Sequence, residues 1–244
     1  MVVLLLLLSS LKEDLQGELQ KFYRKYGSDG IVTYQEARKW VSDKDHRRRL
    51  TVLLLAITSK FNLTLPQLNS KFKSLLKDIS GKESGFFDVE IDVDKVLNTK
   101  WGVDDSKWSN RLSDDVVLWT AYVMNDIKRS MIKQDDIDKV LDQIDKRFET
   151  IENVMRALVV TESTAVGSIA RKEIFKELEV EKYQFFTRAD ERTCDVCGSL
   201  HGIIFPMSTY EVGVTASPVH PFVDAGKFLL SEIKTSQLNI IIGG

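Results

Sequence analysis

Cysteine is nearly absent: Cys194 and Cys197 are the two in a chain of 244 residues. So few cannot build a disulfide scaffold, and they point to synthesis in a reducing cytoplasm. Three histidines add little material for a nucleophile with its base. The four prolines and thirteen scattered glycines leave no low-complexity linker. No Walker loop, Gly-x-Gly-x-x-Gly, His-Glu-x-x-His or Gly-x-Ser-x-Gly occurs, so the commonest signatures of nucleotide, zinc-protease and hydrolase chemistry are missing. A protein without catalytic activity is expected. No charge of one sign dominates either. The 34 basic and 36 acidic side chains give a net charge of −2, where a dedicated nucleic-acid binder carries a basic surplus. No apolar run approaches the roughly 20 residues of a membrane span. The longest, Met1 to Leu8, has no basic leader and reads as the first turns of a buried or partner-facing helix.

What is present is mostly helical periodicity. Leu11, Leu15, Leu19 and Phe22 recur at three- and four-residue steps up to Tyr26, where Gly27 and Gly30 stop the pattern. Thr33 with Glu36 makes a capping box for a second helix. Lys44 to Arg49 is a basic cluster opening a helix from Leu50 to Phe61; it is either a solvated face or a contact for DNA phosphates or an acidic partner. Pro66 is expected to break that helix, and another to follow through Leu68, Phe72, Leu76 and Ile79. Ser80 to Gly85 reads as a polar loop, and Phe87, Val89, Ile91 and Val93, alternating with acids, as a short strand. Asp114 to Lys133 carries a face of Val117, Trp119, Tyr122, Val123, Ile127 and Met131. From Asp136 to Val160 the stripe Ile137, Val140, Leu141, Ile144, Phe148, Ile151, Met155 and Leu158 opposes charged residues. Tyr183 to Arg188 is strand-like, with Ile203 to Phe205 as its partner. The fold class expected is mainly α: a multi-helix body with a small C-terminal β-hairpin module.

The chemistry-bearing residues gather between Arg188 and His220. Cys194-Asp195-Val196-Cys197 places two thiols where one metal could take both. His220, framed by Pro218 and Pro221, is the best third ligand for a tetrahedral zinc, and His201 the fourth. The same pair is equally a small hydrophobic couple or a local disulfide. A redox Cys-x-x-Cys needs its first cysteine at a helix N-terminus, whereas Cys194 reads as part of a hairpin.

The run Asp190-x-Arg192-Thr193-Cys194-x-x-Cys197, the Leu200-x-Gly202-x-x-Phe205 hairpin and Pro218-x-His220-Pro221 together resemble the C-terminal module of phage minor head proteins, the phage Mu F-like or head-morphogenesis family. Tyr26-Gly27 and Ile31 to Ala37 resemble that family's N-terminal part. Trp101, with Trp108 and Ser109-Asn110-Arg111, is similar to its mid-chain tryptophan and Ser-x-Arg signature. Val160-Thr161-Glu162 stands where the family has Arg-Thr-Glu. The resemblance covers most of residues 23 to 222. It implies structural roles for Trp101, Arg111, Thr161, Glu162, Asp190, Arg192 and Thr193. From the residues, Glu162 is either a partner for Arg192 that fixes the hairpin on the helix or an ordinary helix-surface acid. From the residues alone, Trp101 and Trp108 are core anchors.

After His-Pro the family carries x-Cys-Arg-Cys; here Val223, Asp224 and Ala225 occupy those places, so no bound zinc or other cofactor is expected. Val-Asp-Ala written GTA GAT GCA becomes Cys-Arg-Cys, TGT AGA TGC, when one T precedes it. The expected organisation is therefore residues 1–98 as an N-terminal helical region, 99–180 as a central helical core, 181–222 as the cysteine–histidine module and 223–244 as a divergent, frameshifted tail. The resemblance implies a portal-associated structural protein of the virion interior, acting in head morphogenesis and DNA packaging or delivery. Its partners would be portal, capsid or scaffold proteins and the packaged DNA, with no membrane. The other readings are a thiol oxidoreductase and a zinc-finger-like binding module. Sequencing the coding DNA tests the tail: a single-base insertion near codon 223 should restore Cys-Arg-Cys, and a frame that cannot yield it removes the idea.

Overall fold

The computed structural model describes residues 1–27, 31, 35, 44–187, 193–219 and 227–229. It is mainly helical with a small antiparallel sheet, as the periodicities require. The elements are α1 (Val2–Tyr26), α2 (Lys44–Phe87), α3 (Val93–Asn98), α4 (Trp108–Lys133), α5 (Ile137–Glu177), β1 (Lys182–Phe186), α6 (Asp195–Leu200), β2 (Ile204–Pro206), a 3-10 turn (Met207–Thr209) and β3 (Lys227–Leu229). They form two compact units, each made of two separate stretches: 1–71 with 111–156, and 72–110 with 157–244.

The first unit is all helix. In α1, Leu4, Leu8, Leu11, Leu15, Leu19 and Phe22 are buried along one stripe, while Val2, Val3 and Leu6 are exposed. The helix ends at Gly27 for a steric reason: a Cβ there would lie 2.7 Å from the Tyr23 carbonyl oxygen and 3.0 Å from that of Ile31. Opposite this stripe lie Leu53, Ile57 and Phe61 of α2, Val123 and Ile127 of α4, and Ile144, Phe148 and Ile151 of α5, all buried. Phe61 and Phe148 stack with centroids 6.5 Å apart. Around the edge, Lys12 pairs with Asp145 at 3.0 Å, Lys60 with Asp14 at 3.1 Å, and Arg147 with Asp126 at 2.7 Å. At the α4–α5 turn, the Ser130 hydroxyl donates to Gln143 at 2.7 Å, and Asp136 caps α5 by accepting from the Lys139 amide at 2.9 Å.

Four local expectations give way to tertiary packing. Pro66 lies inside α2 and does not end it. Phe61 and Leu68, 1 % exposed on either side of it, anchor the helix and offset the missing amide bond. The polar stretch 80–85 is the last part of the same helix, because Glu83 is gripped by Arg171 and Ser80 is buried. Beyond it, Phe87, Val89, Ile91 and Val93 do alternate with more exposed acids, but no strand pairs with them among the described residues. The chain turns instead at Asp88, whose φ is +52°. In α4 the helix starts at Trp108, and its buried face is Leu112, Val116, Trp119, Val123, Ile127 and Met131, leaving Val117 and Tyr122 exposed. The capping box at Thr33 and Glu36 lies outside the described residues.

The second unit packs the later parts of α2 and α5 with α3 and the sheet. Trp108 is buried, donates its indole N–H to the Leu97 carbonyl at 3.1 Å, and meets Phe72 edge-on at 5.4 Å. The sheet has the order β2-β1-β3, with Tyr183 opposite Phe205 and Phe185 opposite Phe228. β1 turns Tyr183 and Phe185 inward, both at 0 % exposure. Of residues 223–244, only 227–229 are described, and they form the third strand.

An interior proline costs a helix about 3 kcal/mol. Replacing Pro66 by Ala restores a donor for the Asn62 carbonyl, and is expected to stabilise the chain by roughly 1–3 kcal/mol. Urea unfolding followed by far-UV circular dichroism reads this. An unchanged or lower midpoint would mean that α2 is bent around Pro66 by design.

Candidate functional site

The second half of α5 is the platform on which the C-terminal module rests. Helical spacing directs Glu162, Ala165, Val166, Ile169 and Ala170 inward, and all are buried. Glu162 is the exception in chemistry: a carboxylate at 0 % exposure within an apolar face. Burial of such a group is tolerated only when it is hydrogen-bonded. Its Oε2 accepts from the indole Nε1–H of Trp101 at 2.9 Å. Trp101 is half-buried, and its indole nitrogen has a specific polar task beyond anchoring the core.

A tight turn presents Trp101. Its amide donates to the Ser106 carbonyl at 3.2 Å, the Asp105 amide donates to Gly102 at 3.2 Å, and Gly102 adopts φ +77°. Lys100 pairs with Asp105 at 2.9 Å across that turn. A second turn leans on the first. Gly213, at φ +95°, would place a Cβ 3.5 Å from the Gly102 Cα and 3.7 Å from the Trp101 ring. Its backbone conformation favours glycine on its own account. Around it the Glu211 carbonyl accepts the amides of Thr215 and Ala216, each at 2.9 Å.

Aromatic rings join these turns to the sheet and to α5. Centroid spacings run 5.8 Å from Phe87 to Phe175, 6.3 Å to Tyr210, 4.7 Å to Tyr183 and 5.6 Å to Phe205. The Tyr210 hydroxyl donates to the Ser168 carbonyl at 3.0 Å, and the Tyr183 hydroxyl to Thr215 at 3.2 Å. Burial holds the Tyr210 phenol well above its ordinary pKa, so it is a donor throughout the physiological range. Beside them Arg171 grips Glu83 with two bonds, Nε to Oε2 at 2.7 Å and a terminal nitrogen to Oε1 at 2.5 Å. Although burial opposes the charge, this fork holds Arg171 above its usual pKa. Sequence reasoning missed Tyr210, Arg171, Glu83 and Gly213, since neither periodicity nor motif marks a residue whose partner is far along the chain.

The cysteines are not in a simple hairpin. Cys194 is the N-cap of α6, its sulfur accepting the Cys197 amide at 3.4 Å, and α6 bridges β1 and β2. The helix forms there because a capping group precedes a compact Asp-Val-Cys-Gly-Ser-Leu turn that closes at His201 and Gly202 (φ +80°). Neither cysteine is in a disulfide, and Cys197 is buried. Burial, and secondarily Cys194, push the Cys197 thiol up to about 11, so it is a thiol and not a thiolate at neutral pH.

His201 is already employed. Its Nδ1 accepts the Thr187 amide at 3.1 Å, and its ring meets Phe186 edge-on at 5.2 Å. A neutral imidazole has one acceptor nitrogen. Metal on Nε2 would require the proton on Nδ1, facing the Thr187 N–H. Among the described residues no three His, Cys, Asp or Glu side chains cluster as a metal site. The proposed ligand His220, and the motif residues Asp190 and Arg192, lie outside the described residues, so the Glu162–Arg192 pairing does too. Thr161 is buried next to Glu162, and Thr193 is half-buried just ahead of Cys194. Arg111 is half-buried on α4 and belongs to the first unit, whereas Trp101, Glu162 and the cysteines belong to the second.

No protein-family profile matches the chain, and no curated protein or solved structure is significantly similar to it.

Trp101→Phe keeps the ring and removes the donor, and should lower stability by about 1–3 kcal/mol. In the Glu162→Gln background the same change should cost less, giving a coupling of about 0.5–3 kcal/mol in a double-mutant cycle. Thermal unfolding of the four forms measures it; strictly additive losses would mean that the bond carries no stability.

Proposed function

We propose that the chain is a minor structural protein of a tailed-phage or prophage head, bound near the portal and acting in head morphogenesis and DNA packaging or delivery. One observation carries the reading. Trp101 and Glu162, singled out by their resemblance to two separate family signatures, are bonded to each other at 2.9 Å although 61 residues apart. Through Gly213, Tyr210 and Tyr183 that bond braces the module that holds the cysteine motif. A rigid helical platform with a braced terminal module suits a part that docks on a shell, where geometry must be kept under load. Portal, capsid or scaffold proteins are the partners that follow, with packaged DNA as the cargo of the assembly. The virion interior is its location, and the host cytoplasm its place of assembly.

The second reading is a thiol-dependent module. Its support is the position of Cys194 at a helix N-terminus, where a positive backbone end favours a thiolate. Against it stands the brevity of α6, at six residues, and the absence of a βαβ core around it among the described residues.

Deleting the gene from the phage or prophage that carries it should leave uninduced host growth unchanged. It should also lower the yield of infectious, DNA-filled particles, restored by the gene in trans. Normal titre in the deletion removes the head-protein reading. Insulin reduction by the purified chain, lost in Cys194→Ser, would put the thiol reading in its place.

A further inference from the structure

A groove in the first unit lies between the C-terminal half of α1 and the N-terminal half of α2. It encloses about 350 Å³. Its floor is apolar, made by Phe22, Val52, Leu53 and Ala56, and its rim is basic, made by Lys21, Lys25, Arg48 and Arg49. Among the described residues Glu18 is the one carboxylate lining it, and it is already bonded to Lys21 at 3.0 Å. Among the described residues four cations therefore face one carboxylate, in a chain whose net charge is −2.

Two of those cations are arranged unfavourably in isolation. Lys25 Nζ lies 5.3 Å from the Tyr26 ring centroid, and the Arg49 guanidinium 5.0 Å from the same centroid. Each gains from the ring, but like charges held over one ring repel each other. Among the described residues neither pairs with a carboxylate. Among the described residues the apolar side is open as well: Val52, which lines the groove, is 60 % exposed.

We propose that this groove is a docking site for an acidic amphipathic helix of a partner protein. Leucine-like side chains at i, i+3, i+4 and i+7 would cover Val52, Ala56 and Phe22, and flanking Asp or Glu would neutralise Lys25, Arg48 and Arg49. The apolar floor argues against a phosphate backbone, which needs cations and offers nothing to bury against Val52. The groove belongs to the first unit alone, so the proposal stands or falls separately from the head-protein reading.

Fluorescence anisotropy of the full chain with labelled synthetic peptides tests it. One peptide, of about four helical turns, carries Leu on one face and Glu elsewhere; a second has the same composition with Leu spread around the helix. The amphipathic peptide should bind at least about tenfold more tightly than its scrambled counterpart. Two surface variants, Lys25→Glu/Arg48→Glu and Val52→Asp, should each weaken it about tenfold while keeping the wild-type circular dichroism. Equal binding of the two peptides, binding unaffected by the variants, no binding, or tighter binding of a DNA duplex would each overturn the proposal.

Discussion

A carboxylate with no exposure in the middle of a helix is the constraint on which the second unit turns. Glu162 cannot be left without donors, because a buried polar group without a partner costs more than one hydrogen bond returns. Trp101 supplies a donor from 61 residues away, and to do so it needs the 101–106 turn, with a glycine in the left-handed region at 102. Gly213 then rests against that turn, and its φ of +95° favours glycine there. The hydrogen bond, the two turns and the aromatic ladder from Phe87 to Phe205 thus form one continuous support for the sheet.

Arg171 and Glu83 complete it. Their two-pronged contact is partly buried, and it joins the end of α2 to the end of α5, two segments that share no sequence neighbourhood. A fork of this geometry fixes orientation as well as distance. It also explains why residues 80–85, polar enough to be read as a loop, are helical. Glu83 is met by Arg171, and the Ser84 hydroxyl donates to the Val89 carbonyl at 2.6 Å just past the helix end.

The cysteine region illustrates a different lesson. Two cysteines and two histidines close together in sequence resemble a metal clip, yet the histidine in view spends its acceptor nitrogen on a backbone amide at the end of β1. Cys194 spends its sulfur on a helix cap, and Cys197 is held in the thiol form by burial. Each of these is a structural use of a residue type better known for its reactivity. His220, Asp190 and Arg192, which the resemblance ties to the same module, lie outside the described residues.

By itself the sequence determined that the chain is mainly helical and which faces of α1 and α5 are buried. The stripes in α1 and α5 were legible because the 3.6-residue period is a property of neighbouring residues, independent of what packs on them. That the run from Tyr183 pairs with Ile203 to Phe205 was legible for a similar reason, since two short β-rich runs stood close together; the register, Tyr183 opposite Phe205, was not. Only the tertiary structure decided where helices end and which polar groups meet. α2 passes Pro66 because distant side chains hold it on both sides; the alternating run after Phe87 is no strand because a strand needs a partner; and Glu162 meets Trp101 because burial, which no local window records, left it in need of a donor.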